Sequence, residues 1–524
     1  MKSKVITSFK PSLLCVLLIA ISVSAQQRPE LPNTTRTISH PNIILIQADM
    51  QRYDALGAYG NPYINTPNLD RLAQSGTYFR HAYATSPVCA PSRWSLFSGM
   101  YTTSHQAYSN QHEAEGIELP TSLPMELKRL GYTNALIGKN HSFLSNREFD
   151  ILRPIPENGH DFTVTRLAPR AAPWPAREDP MYLLTDRTLQ FIDQRQAQEQ
   201  PYFIWLSYLY PHTPYQVPEP YFSMYKDRAL PPLQQENKGL EAAGKPFRQI
   251  FHQENNDRLL PFDDETTALM RHTYYGMVSL VDDQVGRLFD HLDRLGQRND
   301  TIVIFTSDHG DYQGDHHMYT KSPAMYDCLI RVPLIFSWPG RIEAVTPDRT
   351  LVSQVDVMPT LLSLVGVDIP QQVQGIDLSK SLISGKWDRE VRDVVFAEYG
   401  LPGASFDRQR LEEVFPDYKE NPLNWAEGVP YEANPVSLAG RFRMARTLEW
   451  KYVEYEDGDN ELYNMVHDPH ELTNLYGTEE HSTAARALQK ALREWKKDLP
   501  GIERDKEDLV PSFVDFYKRK TGRE

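Results

Sequence analysis

Residues 42–49 read NIILIQAD, an apolar run rich in isoleucine that ends in one acidic residue, Asp49. A continuous apolar run of this length is typical of a strand in a parallel sheet, because helices cover both faces of such a sheet. Ligands bind open α/β sheets just beyond the carboxyl ends of the strands. The segment therefore predicts a central strand that presents Asp49 at the ligand-binding edge of the sheet.

Three later segments show the same pattern, in which an apolar strand is followed by polar, titratable residues. They are residues 132–137 before Lys139 and His141, residues 202–207 before His212, and residues 301–306 before Asp308 and His309. Helices are predicted between the strands, at about 68–78, 123–130, 185–194 and 264–295, the last of them broken near Gly276. With a further strand at 332–336, this alternation predicts a large, mostly parallel sheet sandwiched between helices.

Two segments of the large domain are irregular. Residues 225–260 are polar and predict a long surface excursion or lid. Residues 401–438 are rich in Pro, Gly and Asn and predict a loop, which follows a last strand of the large domain at 394–398.

The C-terminal part of the chain has a different pattern. Residues 444–455 and 461–463 predict a pair of antiparallel strands, and Asp468 marks a helix start. We expect residues 26–435 to form the large α/β domain and residues 436–524 to form a smaller α+β subdomain of antiparallel strands and a helix.

The first 25 residues have the three parts of a secretory signal peptide. Lys2 and Lys4 form a basic head, residues 13–23 form an apolar core, and a small-x-small cleavage signal precedes Gln26. The core is short for a membrane span, and no later segment is apolar enough to form one. We therefore expect an exported protein, periplasmic or secreted, without a membrane span.

The charge and the cysteine content exclude some classes of partner and scaffold. The precursor has a formal net charge of −14, and loss of Lys2, Lys4 and Lys10 with the leader makes it −17. An acidic surface argues against nucleic acid as a partner, and local cations must hold any anionic substrate. Only Cys89 and Cys328 remain after cleavage, so no disulfide framework is expected. A structural exported protein with one Cys89–Cys328 bridge remains an alternative.

Residues 86–99 read SPVCAPSRWSLFSG and place Cys89 at a predicted helix start. Pro91 suits the first turn of that helix. Free backbone N–H groups and the positive end of the helix dipole attract an anion to this position. With Arg93 beside it, Cys89 is a candidate nucleophile for attack on a charged ester.

The segment from Cys89 to Arg93 resembles the signature of type I sulfatases, which belong to the alkaline-phosphatase-like superfamily. In that family the cysteine is converted after translation to formylglycine (3-oxoalanine), whose hydrated aldehyde is the nucleophile. The resemblance implies a maturation partner, either a formylglycine-generating enzyme or an anaerobic sulfatase-maturating enzyme. It extends from residue 41 to about 475, since the Gly-Lys-x-His, Pro-His-x-Pro and Asp-His elements follow in the family order.

The resemblance also implies a metal site. Asp49, Asp308, His309 and an oxygen on residue 89 would hold one divalent cation, and oxygen-rich sites favour hard ions such as calcium. One position departs from the family pattern, because Met50 stands where most sulfatases carry a second acidic residue. A thioether is a poor ligand for a hard cation, so Gln51, Asp54 or a water would have to complete the shell. Asp308 would also assist deprotonation of the attacking hydroxyl.

By resemblance, the remaining motif residues bind sulfate and move protons. Arg93 and Lys139 would hold the formylglycine and the sulfate oxygens, and His212 and Lys321 would bind the sulfate and protonate the leaving alcohol. His141 would take the proton of the second hydroxyl. Three further histidines are candidate pocket residues for substrate: His105, His316 and His317.

These observations predict an exported sulfatase that hydrolyses sulfate monoesters of carbohydrates. An aromatic content of 11% supports this, because aromatic rings stack on sugar faces. Residues 225–262 and 401–438 are expected to set substrate choice. Two other functions stay open: a phosphonate monoester or phosphodiester hydrolase of the same superfamily, and a catalytically dead sulfated-glycan-binding protein, which Met50 suggests.

Overall fold

The computed structural model describes residues 40–108, 110, 119–156, 168–198, 200–259, 263–321, 324–387, 391–400 and 440–499. Its strands are β1 (Asn42–Ala48), β2 (Thr77–Tyr78), β3 (His81–Tyr83), β4 (Thr133–Gly138), β5 (Ile151–Arg153), β6 (Arg170–Ala171), β7 (Tyr202–Ser207), β8 (Gln216–Val217), β9 (Thr301–Ser307), β10 (Leu334–Ser337), β11 (Leu351–Ser353), β12 (Val395–Tyr399), β13 (Phe442–Arg446), β14 (Trp450–Tyr455) and β15 (Glu461–Asn464). Its helices are α1 (Pro67–Gln74), α2 (Cys89–Ser98), α3 (Thr102–His105), α4 (Leu123–Arg129), α5 (Pro180–Arg195), α6 (Gly239–Ala242), α7 (Phe247–Leu259), α8 (Asp264–Arg294), α9 (Asp327–Ile330), α10 (Val357–Leu364), α11 (Ser379–Ser384) and α12 (Ser482–Asp498).

The main sheet has the strand order β2-β10-β9-β1-β7-β4-β5. Strand β1 lies in its middle and pairs in parallel with β9 on one side and β7 on the other, whereas β10 runs antiparallel to its neighbours. The side chains of β1 alternate between two cores: Ile44 and Ile46 enter one, Ile43 and Leu45 the other. The predicted large, mostly parallel sheet, covered on both faces, is therefore confirmed.

Helices cover each face of this sheet. Helices α1, α5 and α8 contribute to the first core, and α2, α4, α10 and α11 contribute to the second. Because each buried Å² of apolar surface contributes about 25 cal/mol, burial on both faces supplies the main driving force for this arrangement. The sheet consequently holds its strand ends in fixed relative positions, which matters for the site described below.

The helix start predicted at Asp468 is wrong, because the chain forms a turn there and the next helix begins at Ser482. Two helix predictions in the large domain were wrong in detail, and a glycine explains each. The helix predicted at 68–78 ends at Gln74, and the chain then enters β2. A Cβ at Gly76 would lie 2.1 Å from the Phe336 carbonyl oxygen, so glycine allows the chain to pass close to β10. Helix α8 is not broken at Gly276; a Cβ there would lie 2.3 Å from the Tyr221 carbonyl oxygen, so this glycine serves close packing.

The segment predicted as irregular, residues 225–260, contains the helices α6 and α7. Leu240 of α6 and Phe251 of α7 are buried. The segment is therefore packed against the rest of the chain, although its polar composition concealed this.

The strands β12-β13-β14-β15 form an antiparallel sheet, and α12 packs against it through Leu488 and Leu492. The strand predicted at 394–398 does not end the large sheet: it forms β12, at the edge of this second sheet, where Phe396 stacks on Trp495 of α12 at 4.7 Å between ring centroids. The predicted leader, the loop at 401–438 and the boundary at 435/436 lie outside the described residues. Among the described helices, none combines the length and the apolar character needed to cross a membrane.

Candidate active site

The candidate active site lies at the carboxyl ends of four neighbouring parallel strands. Asp49 directly follows β1, Asp308 follows β9, Lys139 follows β4, and His212 comes five residues after β7. Because these strands run in the same direction, their carboxyl ends meet at one edge of the sheet. The structure thus brings together polar residues that are more than 250 positions apart in the chain.

Arg93 of α2 connects these strand ends through one fully buried guanidinium group. Its Nη2 lies 2.9 Å from Asp49 Oδ2, and its Nε lies 2.9 Å from Asp308 Oδ2. Its Nη1 donates to Ser207 Oγ at 2.8 Å and to the Lys139 carbonyl oxygen at 3.1 Å. A planar group with five donors can make such a set of contacts, whereas a lysine ammonium cannot reach all of them. Arg93 therefore fixes α2 against the ends of all four strands.

Cys89 begins α2 and is fully buried among basic groups. Its Sγ lies 2.9 Å from Lys321 Nζ, 3.1 Å from His309 Nε2 and 3.8 Å from Lys139 Nζ. Burial by itself raises the pKa of this thiol, but the charges of Lys139, Lys321 and His309 and a hydrogen bond from His141 hold that pKa well below its usual value. The centre is therefore arranged to stabilise an anion at residue 89. Both Cys89 and Cys328 are free thiols.

Asp49, Cys89, Asp308 and His309 form a buried cluster in which one ligand atom from each residue lies within 4.8 Å of the others. Arg93 takes the Oδ2 atom of both carboxylates, which leaves Oδ1 of each for other partners. His309 Nδ1 bonds to the Gly310 carbonyl oxygen at 2.8 Å, so Nε2 faces the cluster and, in the neutral imidazole, presents its lone pair there, as in histidines that bind metals. Two carboxylates, an imidazole and an oxygen on residue 89 suit a divalent cation.

The structure also shows what surrounds Met50, which stands where a second acidic residue is expected. Met50 is buried with a φ of 66°, and its N–H donates to Asp308 Oδ1 at 3.1 Å. Asp54 is occupied elsewhere, because both of its oxygens accept from the Arg52 guanidinium, at 2.7 and 2.6 Å. Gln51 is fully buried, and neither its amide oxygen nor its amide nitrogen has a hydrogen-bond partner among the described residues. Of the two side chains considered as an additional metal ligand, Asp54 is therefore already paired, and Gln51 is the one left as a candidate.

His212 and Lys321 lie side by side next to residue 89. His212 Nδ1 bonds to the Thr213 carbonyl oxygen at 2.6 Å, so its Nε2 accepts from Lys321 Nζ at 3.1 Å. His141 adopts a φ of 41°, and its Nδ1 is buried without a hydrogen-bond partner among the described residues. The centre thus contains a paired ammonium and imidazole, together with a second imidazole beside the nucleophile position.

The other candidate histidines contact different residues. His105 is fully buried, with Nε2 3.0 Å from Ser95 Oγ and Nδ1 accepting from the Ala107 N–H at 3.2 Å, and burial lowers its pKa to about 3. His316 pairs with Glu236 through Nδ1 at 2.7 Å. In the contacts that the structure describes, neither side chain touches the Cys89 centre, so both have the character of internally hydrogen-bonded histidines.

Sequence reasoning missed three polar residues that support the centre. Ser207 accepts from Arg93, Ser92 Oγ donates to the Asp308 carbonyl oxygen at 2.6 Å, and the Asn110 side chain accepts from the Ala90 N–H at 2.9 Å. Ser207 ends β7, so the strand-end pattern could have identified it. Asn110 carries no comparable signal, because it approaches α2 only in the folded chain.

Residues 41–367, more than half of the chain, match the family model described as Sulfatase. The chain belongs to the sulfatase family. It is therefore a hydrolase of sulfate esters, as the sequence predicted.

Relatives of this sulfatase align along nearly their full length. The multifunctional alkaline phosphatase superfamily protein PehA of Trinickia caryophylli is 28% identical, over 88% of this chain and 96% of its own. The N-acetylglucosamine-6-O-sulfatase of Bacteroides thetaiotaomicron is 25% identical, over 97% of this chain and 95% of its own. The crystal structure of phosphonate monoester hydrolase of Agrobacterium radiobacter superposes with a TM-score of 0.72 at 24% identity, covering 87% of this chain and 96% of that one. This likeness confirms the alkaline-phosphatase-like fold.

The buried carboxylate of Asp49 predicts a specific pH dependence of stability. Burial and Cys89 raise its pKa, but the charged groups of Lys139 and Arg93, together with the nearby His212, outweigh them and lower it from 3.8 to about 2. Because the folded pKa is the lower one, the stabilisation is present above about pH 4 and is lost as the pH falls towards 2. We expect the free energy of unfolding of the wild type to fall by about 2 kcal/mol more than that of Asp49→Asn over this range.

Urea unfolding with a chelator present, measured at several pH values, gives this difference directly. The chelator ensures that loss of a bound cation does not contribute to the pH dependence. Parallel stability curves for the wild type and Asp49→Asn would show that the carboxylate is not stabilised by its cationic neighbours.

Proposed function

We propose that this sulfatase is an exported enzyme that hydrolyses sulfate monoesters of carbohydrates, with formylglycine made from Cys89 and one divalent cation, calcium. The observation that carries the proposal is the set of contacts at Cys89: Lys321, His309 and Lys139 surround its Sγ in a fully buried centre. Three features support the finer points. They are the signal-peptide pattern at residues 1–25, the oxygen-rich cluster, and a relative named for its action on an N-acetylglucosamine sulfate.

Formylglycine at residue 89 would supply a hydroxyl nucleophile and a second hydroxyl for its regeneration, and a cation held by Asp49, Asp308 and His309 would supply positive charge. The remaining contributions come from this chain's own side chains. Lys139 approaches the Sγ position from the end of β4, and Lys321 approaches it from the segment between β9 and β10, so their ammonium groups can hold the sulfate oxygens as charge develops on them.

Proton transfer falls to groups already paired in the centre. Lys321 donates to His212 Nε2, so this pair holds a proton close to the position of the leaving alcohol oxygen. His141 makes a side-chain hydrogen bond with Cys89, so its imidazole can accept a proton from a hydroxyl at residue 89. A formylglycine-generating or anaerobic sulfatase-maturating enzyme would be the partner that converts Cys89.

Conversion of Cys89 is the direct test of this proposal. In cells with a maturating enzyme, we expect the peptide that contains residue 89 to have the mass of an aldehyde in place of a thiol. We expect Cys89→Ala to abolish release of inorganic sulfate, because no other described side chain occupies the nucleophile position. Cys328→Ala, which changes the other free cysteine among the described residues, is the matched control and should retain activity. An undiminished Cys89→Ala enzyme would contradict the proposal.

The cation is tested by removing one carboxylate from the cluster. Asp308→Asn should weaken calcium binding by more than roughly tenfold, measured by isothermal titration calorimetry, because a neutral amide is a weaker ligand for a hard cation. Asp311→Asn is the control: Asp311 is equally buried and bonds to the Tyr215 hydroxyl and the Gln313 N–H, but it does not belong to the cluster. Equal calcium affinities of the two variants would disprove the assignment.

A phosphonate monoester or phosphodiester hydrolase is the second candidate, favoured by the likeness of the fold to the phosphonate monoester hydrolase of Agrobacterium radiobacter at a TM-score of 0.72. We expect kcat/KM for an aryl sulfate to exceed that for the matching aryl phosphonate monoester, and a large preference for the phosphonate would replace the first candidate. A glycan-binding protein without activity would instead bind sulfated oligosaccharides and release no sulfate when residue 89 is fully converted. A panel of sulfated oligosaccharides then identifies the sugar.

A further inference from the structure

The turn that carries Lys321 into the centre has an unusual backbone. Four non-glycine residues in the eight positions before Lys321 have positive φ: Gln313 (52°), His316 (54°), His317 (57°) and Thr320 (63°). Residues other than glycine seldom adopt a positive φ, and this backbone conformation persists only where surrounding contacts fix it. Lys321 therefore depends on whatever holds residues 313–320, here called the lysine turn.

One side of the lysine turn is held by Arg52, just beyond β1. Its Nη1 donates to Asp315 Oδ2 at 2.8 Å and to the Tyr312 carbonyl oxygen at 2.9 Å. Arg52 also pairs with Asp54, so its guanidinium is itself fixed. These contacts anchor the start of the turn but do not reach His316 or His317.

The other side is held by the segment 234–256, which lies within the predicted irregular excursion at 225–260. Gln234 donates through its N–H to Asp315 Oδ1 at 2.9 Å and accepts from the His316 N–H at 2.7 Å. Gln235 donates through Nε2 to the Gly314 carbonyl oxygen at 3.1 Å. This two-way pairing makes the segment a direct support of the turn.

Glu236 makes the most buried of these contacts. Its Oε1 lies 2.7 Å from His316 Nδ1, and both side chains are buried. The His316 ring stacks on Tyr326 with 3.8 Å between ring centroids, and Lys245 Nζ lies 3.5 Å from the same Glu236 oxygen. The imidazole is thus fixed in its plane by stacking and in its rotation by Glu236. A residue with a positive φ is in this way fixed by its side chain as well as by its backbone.

The end of the turn is tied to the same segment, because the Tyr319 N–H donates to Asn256 Oδ1 of α7 at 2.6 Å. Two residues later, Lys321 Nζ contacts Cys89 Sγ at 2.9 Å and His212 Nε2 at 3.1 Å. We propose that Glu236 is a positioning residue, which acts through His316 to fix the lysine turn so that Lys321 meets residue 89 and His212. This inference deepens the proposed function and rests on it, because the role of Lys321 in sulfate release is part of that proposal.

The placement of Lys321 is measured without any assay of activity. Lysine acetylation by a soluble active ester, followed by peptide mass spectrometry, reports how accessible each ammonium is. Lys321 is 5% exposed and should be protected in the wild type. We expect its labelling to rise several-fold in Glu236→Ala but not in Glu236→Gln, because glutamine keeps the Oε1 acceptor for His316.

Two further variants make this test specific. His316→Asn removes the imidazole, while asparagine tolerates a positive φ, so this variant should expose Lys321 as Glu236→Ala does. It keeps the test decisive if Glu236→Ala folds poorly. Glu241→Gln, on the exposed surface of α6 in the same segment, is the matched control and should leave labelling unchanged. The labelling of Lys321 does not depend on sulfate release, so it tests the role of Glu236 separately from the proposed function.

The kinetic consequence separates positioning from general destabilisation. If Lys321 and His212 protonate the leaving alcohol, Glu236→Ala should lower kcat about tenfold to a hundredfold for an alkyl or sugar sulfate, and less for an aryl sulfate with a good leaving group. Glu236→Gln should restore most of that loss. The proposal is overturned if Lys321 stays protected in both Glu236→Ala and His316→Asn, or if the loss of kcat is the same for both kinds of leaving group.

Discussion

The buried guanidinium of Arg93 is the interaction on which the candidate site depends. Two carboxylates at adjacent strand ends repel each other, and their transfer from water into the protein is costly unless each is paired. Arg93 pairs with both Asp49 and Asp308 at 2.9 Å and also bonds to groups at the ends of β4 and β7. It comes from the helix that begins with Cys89, so the same contacts that make the carboxylates tolerable also fix the nucleophile position.

The charges around residue 89 follow from this arrangement. Arg93, Lys139 and Lys321 bring three positive charges to a centre with two carboxylates, and the side chain of residue 89 lies among them. Such a centre favours an anion at that position, whether the anion is a thiolate, an alkoxide or a sulfate monoester. The uncharged side chain of Met50 adds no negative charge to this balance.

Where the sequence misled, a long-range contact was responsible. Gly276 reads as a helix break but serves the approach of the Tyr221 backbone to α8, which no local pattern reveals. Residues 225–260 were predicted to be a polar excursion, because the sequence does not reveal that their polar groups have partners elsewhere in the chain, among them Glu236 with His316. The strand predicted at 394–398 pairs with β13, so its assignment required the partner strand. His105 was a candidate pocket residue, but both of its ring nitrogens have hydrogen-bond partners within the protein, which the sequence does not reveal.

The sequence by itself determined the four central parallel strands of the large sheet, the polar residues at their ends, and the family, through the segment from Cys89 to Arg93. These are local properties, since apolar runs, turn residues and short motifs are read from neighbouring positions. Only the tertiary structure decided how Arg93 divides its donors between two carboxylates, which of Gln51 and Asp54 has no side-chain partner among the described residues, and what holds the turn before Lys321. Those outcomes depend on groups far apart in the chain, whose distances are fixed only when both cores have packed against the sheet.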